Sequence, residues 1–259
     1  MGEETPAATA PDGSLHPDRR SPTFERDLQR MFATIADRYD LFNHLATFGL
    51  DLLWRPRAVW ELDRLADRPP RRILDVGCGT GALARQLGHH FRGAAVVGVD
   101  FTAAMVRRAQ ALRGQGQRTP EFAVASLPHL PFGDGAFDLA ASAFVARNLA
   151  DLPAAFLELR RVLRPGGLLL TLEVSEPADP AVRRIFHAHF DHAVPLLGRA
   201  FGREGPYSYL PQSLRSFPPR ERVVRLLADA GFGRTHLRPM SSGVVTAYLS
   251  EATGSAPQP

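Results

Sequence analysis

Residues 71–100 read RRILDVGCGTGALARQLGHHFRGAAVVGVD, and this spacing predicts a strand, a glycine turn, a helix and a second strand. Ile73, Leu74 and Val76 form a short apolar run of the kind a parallel sheet buries on both faces. Gly77, Gly79 and Gly81 follow at once, where missing side chains let the backbone turn sharply and a ligand approach it. The helix expected over Ala82–His89 then begins with unpaired N–H groups directed at that ligand. A second apolar run, Ala94–Val99, ends at Asp100. A carboxylate at the tip of the second strand accepts hydrogen bonds from the two ribose hydroxyls of a nucleoside.

Two ligand classes use this layout. Gly77, Gly79 and Ala82 satisfy the G-x-G-x-x-G/A spacing of a dinucleotide site, so the glycines alone do not exclude NAD. Asp75, Gly77, Gly79 and Gly81 fit better the pattern of an S-adenosylmethionine site, where an acid closes the first strand. That donor brings a cationic amino group which Asp75 can order directly or through water, whereas a carboxylate beside a pyrophosphate repels it. A glycine turn without a ligand explains the stretch poorly, because turn, helix start and ribose acid occur together.

The rest of the chain bounds the class. Its 259 residues, 44% hydrophobic, suffice for one large α/β domain with additions. No apolar run reaches membrane-helix length, and the first residues lack the basic-then-apolar order of a secretion signal. A single cysteine leaves no internal disulfide and no cysteine-based zinc cage. The expected location is cytoplasmic. The net charge is +4, and all 31 basic residues are arginine. They are scattered among nearly as many acids rather than gathered in a basic helix or arm, which argues against nucleic-acid binding. The chain is compatible with a homo-oligomer.

Residues 1–22, rich in Pro, Ala, Ser, Gly and charge, are expected to form a disordered tail. A single domain is expected over 23–250, with a helical cap over 23–68 and a lid insertion over 176–219; residues 251–259 read as a second tail. In the cap, Phe24, Leu28, Met31, Phe32, Ile35 and Tyr39 recur at helical spacing. A second segment, 41–53, is broken by Gly49, and a third helix runs to Ala66. After Asp100 the pattern predicts a helix over 102–112, a strand over 121–125, a strand over 137–144 and a helix from Asp151 or Pro153 to Leu163. A tight turn at Pro165-Gly166-Gly167, a strand over 168–174 and a helix over 181–194 come next. A Tyr- and Pro-bearing segment, a helix over 220–230 and an edge hairpin around Ser241-Ser242-Gly243 complete the chain. Alternating strands and helices predict an open, mostly parallel sheet with helices on both faces, with the ligand at the carboxyl ends of the strands.

Beyond these features, MFATIADRYDLFNHLATFGLDLLWR (31–55), LDVGCGTGALA (74–84), LPFGDGAFDLAASAFVARN (130–148), LRRVLRPGGLLLTLEVSEP (159–177), YSYLPQSLRSFP (207–218) and SSGVV (241–245) fall in the order and spacing of the ubiquinone/menaquinone C-methyltransferases. Over residues 24 to 250 the chain resembles this UbiE/MenG family. The glycine turn and RPGG mark only Rossmann-like class I methyltransferases; the cap, F-x-x-R-N and YSYLPQS segments are more specific. The resemblance implies transfer of a methyl group from S-adenosylmethionine to a ring carbon of a prenylated hydroquinone. It also implies that Asp75, Gly77, Gly79, Thr80, Gly81, Asp100, Phe101, Ser126, Leu127 and Ala143 surround that donor. The chain departs from the family pattern at Ser126 (often Asn or Asp), Ala143 (Ser), Val145 (Gly) and Tyr248 (His).

Methyl transfer to carbon needs an aligned nucleophile and a means of stabilising the phenolate that activates the ring. Arg147, after the fourth strand, is the expected catalytic residue. It stays protonated, so it stabilises the phenolate or orients a water; the plain alternative is an ion pair with an acid such as Asp151. Asn148 reads as a helix N-cap. Tyr39, Asn43, Tyr207 and Tyr209 are expected at the substrate, though packing explains Tyr39 equally well. His187, His189 and His192 with Asp191 suggest metal ligands at first sight, but methyl transfer needs no metal, and solvated helix surface or a proton-accepting role fits them better. Cys78 reads as turn filler rather than a nucleophile. Cap residues Phe42, Leu45, Phe48, Leu50, Leu52 and Leu53 and insertion residues Ile185, Phe186, Phe190, Leu196 and Leu197 offer an apolar path for a prenyl tail. Arg183, Arg184, Arg199 and Arg203 beside them suggest peripheral contact with the inner face of a membrane.

Overall fold

The computed structural model describes residues 23–114, 119–201 and 204–254, with only the backbone described over 204–208. Three cap helices, α1 (Phe24–Ile35), α2 (Tyr39–Ala46) and α3 (Asp51–Asp63), precede the sheet. The alternating part follows as β1 (Arg72–Val76), α4 (Ala82–His90), β2 (Ala95–Asp100), α5 (Ala103–Leu112), β3 (Glu121–Val124), β4 (Phe137–Ala143), α6 (Leu152–Val162) and β5 (Leu163–Val174). The lid holds α7 (Pro180–Ala188), α8 (Val194–Ala200) and α9 (Glu204–Arg215). It is followed by α10 (Arg220–Asp229), β6 (His236–Met240) and β7 (Val245–Glu251).

The strands form one sheet in the order β3-β2-β1-β4-β5-β7-β6. All pairs from β3 to β5 are parallel, while β7 runs antiparallel to both β5 and β6. Strand order reverses at β1, between β2 and β4, which opens a crevice at the carboxyl ends of β1 and β4, the usual ligand position of such sheets. Apolar residues alternate along β5: Leu168, Leu170, Leu172 and Val174 enter the core on the α3–α4–α5 face, and Leu169 enters the core on the α6–α10 face. Burial of such side chains contributes on the order of 1.5–3 kcal/mol each.

Local chemistry sets the element ends. Asp151 caps α6 by accepting from the Ala154 N–H at 2.9 Å, and Asp179 caps α7 through the Ala181 and Val182 N–H groups. The expected N-cap at Asn148 is therefore corrected to Asp151; Asn148 closes a short 3₁₀ turn, Ala146–Asn148. The turn at Pro165-Gly166-Gly167 is also corrected. It is a bulge inside β5, where the four residues between Leu163 and Leu168 face the single residue between Phe137 and Leu139. Gly166 has φ 69°, and a Cβ at Gly167 would meet the Arg164 carbonyl oxygen at 2.8 Å, so both glycines are needed for the chain to double out and return. The helix expected to end at Val194 continues through a π segment, His189–Ala193, into α8. The Tyr- and Pro-bearing segment is helical too, with Pro211 inside α9.

The cap packs as two small clusters: Ile35, Phe42, Ala46 and Val194 in one, and Phe24, Leu28, Met31 and Tyr209 in the other. Thus α1 and α2 close against the lid, above the sheet. Trp54 donates from Nε1 to Ser241 Oγ at 2.8 Å and fastens α3 to the turn before β7. Near the second chain end, Ala252 is 1% exposed and its N–H bonds the Gly167 carbonyl, so Glu251 ends β7 between β5 and β6 and Ala252 stays packed against the sheet rather than beginning a tail. The proposed tails at 1–22 and 255–259 lie outside the described residues.

Candidate active site

The glycine turn is built as its spacing requires. Gly77, Gly79 and Gly81 all have positive φ (66°, 53° and 82°), the region open to residues without a Cβ. A Cβ at Gly81 would come within 2.6 Å of Phe122, and one at Gly77 would overlap both methyl carbons of Val145. Val145 thus fills the space that the missing Gly77 side chain leaves. Among the described residues only Tyr39 comes within 4 Å of such a Cβ at Gly79, so this glycine presents bare backbone to a cavity of about 120 Å³.

Gly77, Gly79, Asp100, Phe101, Ser126, Leu127 and Ala143 line that cavity, as does Tyr39. Asp75, Thr80 and Gly81 do not. Thr80 is 2% exposed and its hydroxyl donates to Asp40 Oδ1 at 2.7 Å, so it holds the turn to α2. Gly81 packs against Phe122 and Ala109 as the start of α4. Asp75 lies behind the turn, 1% exposed. Burial pushes its pKa up to about 7, against the opposing pull of the Ala84 amide and the Arg55 and Arg85 guanidiniums. Even so, no donor among the described residues reaches either of its oxygens with hydrogen-bond geometry. Asp100 is held instead: its two oxygens accept from the Gly79 N–H at 2.9 Å and the Thr102 N–H at 2.8 Å. Burial raises its pKa as well, and these amides lower it.

The sign of charge separates the two ligand classes. The described residues lining the cavity include the carboxylates of Glu25, Asp100 and Asp151, and no arginine, lysine or histidine. With the unpartnered Asp75 beneath, the cavity favours a cation over a pyrophosphate. Cys78 is buried and its thiol pKa is raised, first by burial and then by Asp75 and Asp100, which keeps it inert as read.

A second, smaller pocket adjoins the first. Tyr39, Asn43, Arg147, Asn148 and Tyr209 line it, with Phe32, Phe42 and residues of α9. Four expected residues from opposite ends of the chain therefore converge; the Tyr207 side chain lies outside the described residues. Phe32, Tyr39 and Asn148 line both spaces. Arg147 is 7% exposed and its Nη1 donates to Glu173 Oε2 at 2.8 Å. The expected ion-pair partner, Asp151, is thereby corrected to Glu173 on β5, which also accepts from the Arg147 and Val174 N–H groups. Burial raises the Glu173 pKa and Arg147 opposes it. Asn148 donates to the Phe144 carbonyl at 3.4 Å, and its side-chain oxygen is buried without a partner among the described residues.

Glu173 and Asn148 are the residues sequence reasoning underrated. The signal for Glu173 was a lone carboxylate in the apolar run 168–174. The histidines lie elsewhere: His187 pairs with Glu176 at 2.8 Å, and His189 bonds the Ala46 carbonyl at 2.7 Å. None of His187, His189 or His192 lines either space.

The model of the ubiE/COQ5 methyltransferase family matches residues 21–251. The chain belongs to this family. Demethylmenaquinone methyltransferase of Thermus thermophilus is 45% identical over 206 residues, covering 78% of this chain and 91% of the relative. The Deinococcus radiodurans protein of the same name is 37% identical over 225 residues, covering 86% and 92%. The UbiE C-methyltransferase of a Geobacter species is 34% identical over 227 residues, covering 86% and 94%. Among solved structures, a methyltransferase from Thermotoga maritima superposes with TM-score 0.60 at 18% identity, covering 86% of this chain and 99% of its own. One from Aquifex aeolicus gives 0.59 at 18%, covering 83% and 98%. These likenesses give the class I methyltransferase fold. Family membership makes the chain a C-methyltransferase whose donor is S-adenosylmethionine.

Proposed function

We propose that this member of the ubiE/COQ5 methyltransferase family methylates a ring carbon of a prenylated hydroquinone, demethylmenaquinol foremost. The observation that carries the reading is the convergence of Arg147, Asn148, Tyr39, Asn43 and Tyr209 on a pocket sharing a wall with the donor cavity. Gly77, Gly79, Asp100, Phe101, Ser126, Leu127 and Ala143 would hold S-adenosylmethionine, with Asp75 balancing its amino group from behind the turn. Bound there, the donor supplies an electrophilic methyl group on a sulfonium.

The protein's own residues do the rest. Tyr39 and Phe32 orient the aromatic ring by face and edge contacts. The Arg147 guanidinium stabilises the phenolate formed when the neighbouring hydroxyl gives its proton to a water that this guanidinium orients, which makes the ring carbon nucleophilic; once methylated, that carbon releases its own proton to water and the ring becomes aromatic again. Glu173 fixes the direction of that guanidinium. The Asn148 amide marks the boundary of the two spaces and accepts a hydrogen bond from the second hydroxyl. The cap and lid exclude water from the aligned reactants.

A further reading rests on the surface. No helix among the described residues is long and apolar enough to cross a membrane. Phe48 is 80% exposed with φ 52°, Ile185 is 70% exposed, and Leu52, Leu53 and Leu196 are exposed as well. Phe48 lies against the His189 ring, centroids 5.2 Å apart and planes tilted by 40°, which joins the cap and lid parts of this apolar surface. We infer that it rests on the inner face of a membrane, where a prenylated acceptor resides.

Turnover of S-adenosylmethionine with a short-tailed, chemically reduced demethylmenaquinol tests the assignment. Methylated product from the wild type, lost by at least about a hundredfold in Arg147→Ala, is the expected result. Donor binding without product from any quinol would overturn it.

A further inference from the structure

The largest cavity described, about 580 Å³, is a third space. It lies at the carboxyl end of β5, roofed by α7 and the π segment, walled by α9 and floored by Tyr248 of β7 and Arg220 of α10. Its walls are apolar, with Phe186, Phe190, Leu214 and Phe217. Its floor is not. Tyr248 is 1% exposed and its hydroxyl has no partner among the described residues; the same holds for Arg220 Nε. Arg220 Nη2 donates to Ser175 Oγ and to the Glu176 and Gly243 carbonyls, so its hydrogen-bond partners among the described residues are all neutral oxygens. Arg183 lines the same cavity, half-buried, with no acid in ion-pair range among the described residues.

We propose that this cavity is a binding site for a carboxylate-bearing amphiphile, separate from the methyl-transfer site. Both donors are closed to solvent beneath the floor, a desolvation cost that a bound oxygen anion relieves once a floor side chain shifts to admit it, and hydrogen bonds to an ionised acceptor are the strong ones. Burial raises the Tyr248 pKa, so its hydroxyl remains a neutral donor. The aromatic and aliphatic walls take the apolar body of the ligand. A dianion such as a phosphate monoester is disfavoured, because Glu176, Asp191 and Glu221 face the same space. A purely apolar chain would leave both donors unpaired. The wall it shares with the acceptor pocket is α9: Tyr209, Leu210 and Ser213 face the acceptor, while Pro211, Leu214 and Arg215 face this cavity.

The test is calorimetric binding of decanoate, 2-naphthoate and decanol to the full chain saturated with S-adenosylmethionine. At least one carboxylate is expected to bind saturably at one per chain, and decanol at least about tenfold more weakly. Decanoate and 2-naphthoate distinguish a chain from a ring as the apolar body. Tyr248→Phe removes the hydroxyl and Arg183→Gln replaces the guanidinium with a neutral amide; each is expected to weaken carboxylate binding about tenfold, with thermal unfolding of the ligand-free protein not lowered in either as the check on the fold. Absence of saturable binding by both carboxylates overturns the proposal. So do decanol binding as tightly as the carboxylates, and variants that bind like the wild type. None of these readouts depends on methyl transfer.

Discussion

A single carboxylate sets the balance between stability and binding. Asp75 has a folded pKa of about 7 against an ordinary 3.8, so between these values the unfolded chain has released a proton that the folded chain retains. Stability then falls as pH rises through this window, by at most about 4 kcal/mol. Asp75→Asn should raise the melting temperature of the donor-free protein at pH 8 and leave it nearly unchanged at pH 4, as calorimetry can check. The same variant should bind S-adenosylmethionine at least about tenfold more weakly at pH 8. In the wild type, affinity should rise from pH 5 to 7 as Asp75 ionises, a slope missing in the variant. Arg147 and Glu173 form the other decisive pair. Arg147→Ala leaves an unpaired buried carboxylate and should cost about 3–5 kcal/mol in denaturant unfolding. Adding Glu173→Gln should recover most of that stability and none of the turnover, separating folding from chemistry. The sequence named Arg147 but not its partner, because pairing across β4 and β5 depends on register, and register is not written in either strand alone.

Elements were legible where a local rule suffices. Glycine turns, apolar runs and Asp-Pro helix starts act within a few residues, so β1, α4, β2 and α6 are where their spacing puts them. The bulge at Gly166-Gly167, the π segment at His189 and the helical state of the Pro211 segment were not legible, since neighbouring elements decide them. Pro211 is tolerated because α9 is held on both sides, by α1 and α8. The hold of the cap on the glycine turn is likewise tertiary. One hydrogen bond, Thr80 to Asp40, spans 40 residues of sequence. Thr80→Val should weaken donor affinity roughly fivefold, about 1 kcal/mol, without touching the cavity wall. Unchanged affinity by equilibrium dialysis would return this contact to packing.

At the scale of the molecule, the sheet presents its carboxyl edge to the cap and lid, and the outer surface of these additions carries most of the large exposed apolar residues. The paired variant Phe48→Ser/Ile185→Ser removes apolar surface that no core residue needs. It should lose vesicle association in flotation with anionic lipid while retaining turnover of a short-tailed acceptor. Flotation equal to the wild type would show that this face does not meet the bilayer. The overall architecture and the donor cavity were readable from the chain because each rests on contiguous motifs. The acceptor pocket was readable only as a set of residues, since α1, α2, the turn after β4 and α9 meet there solely through the fold.

Phe32, Tyr39 and Asn148 line the donor cavity and the acceptor pocket alike, and this shared wall has a kinetic consequence. A quinol resting on those three side chains obstructs entry and departure of the donor, so the two reactants add in a compulsory sequence. The donor binds first, and demethylated S-adenosylhomocysteine leaves last. Steady-state product inhibition should therefore show S-adenosylhomocysteine competing with S-adenosylmethionine alone, and the methylated quinol competing with neither reactant.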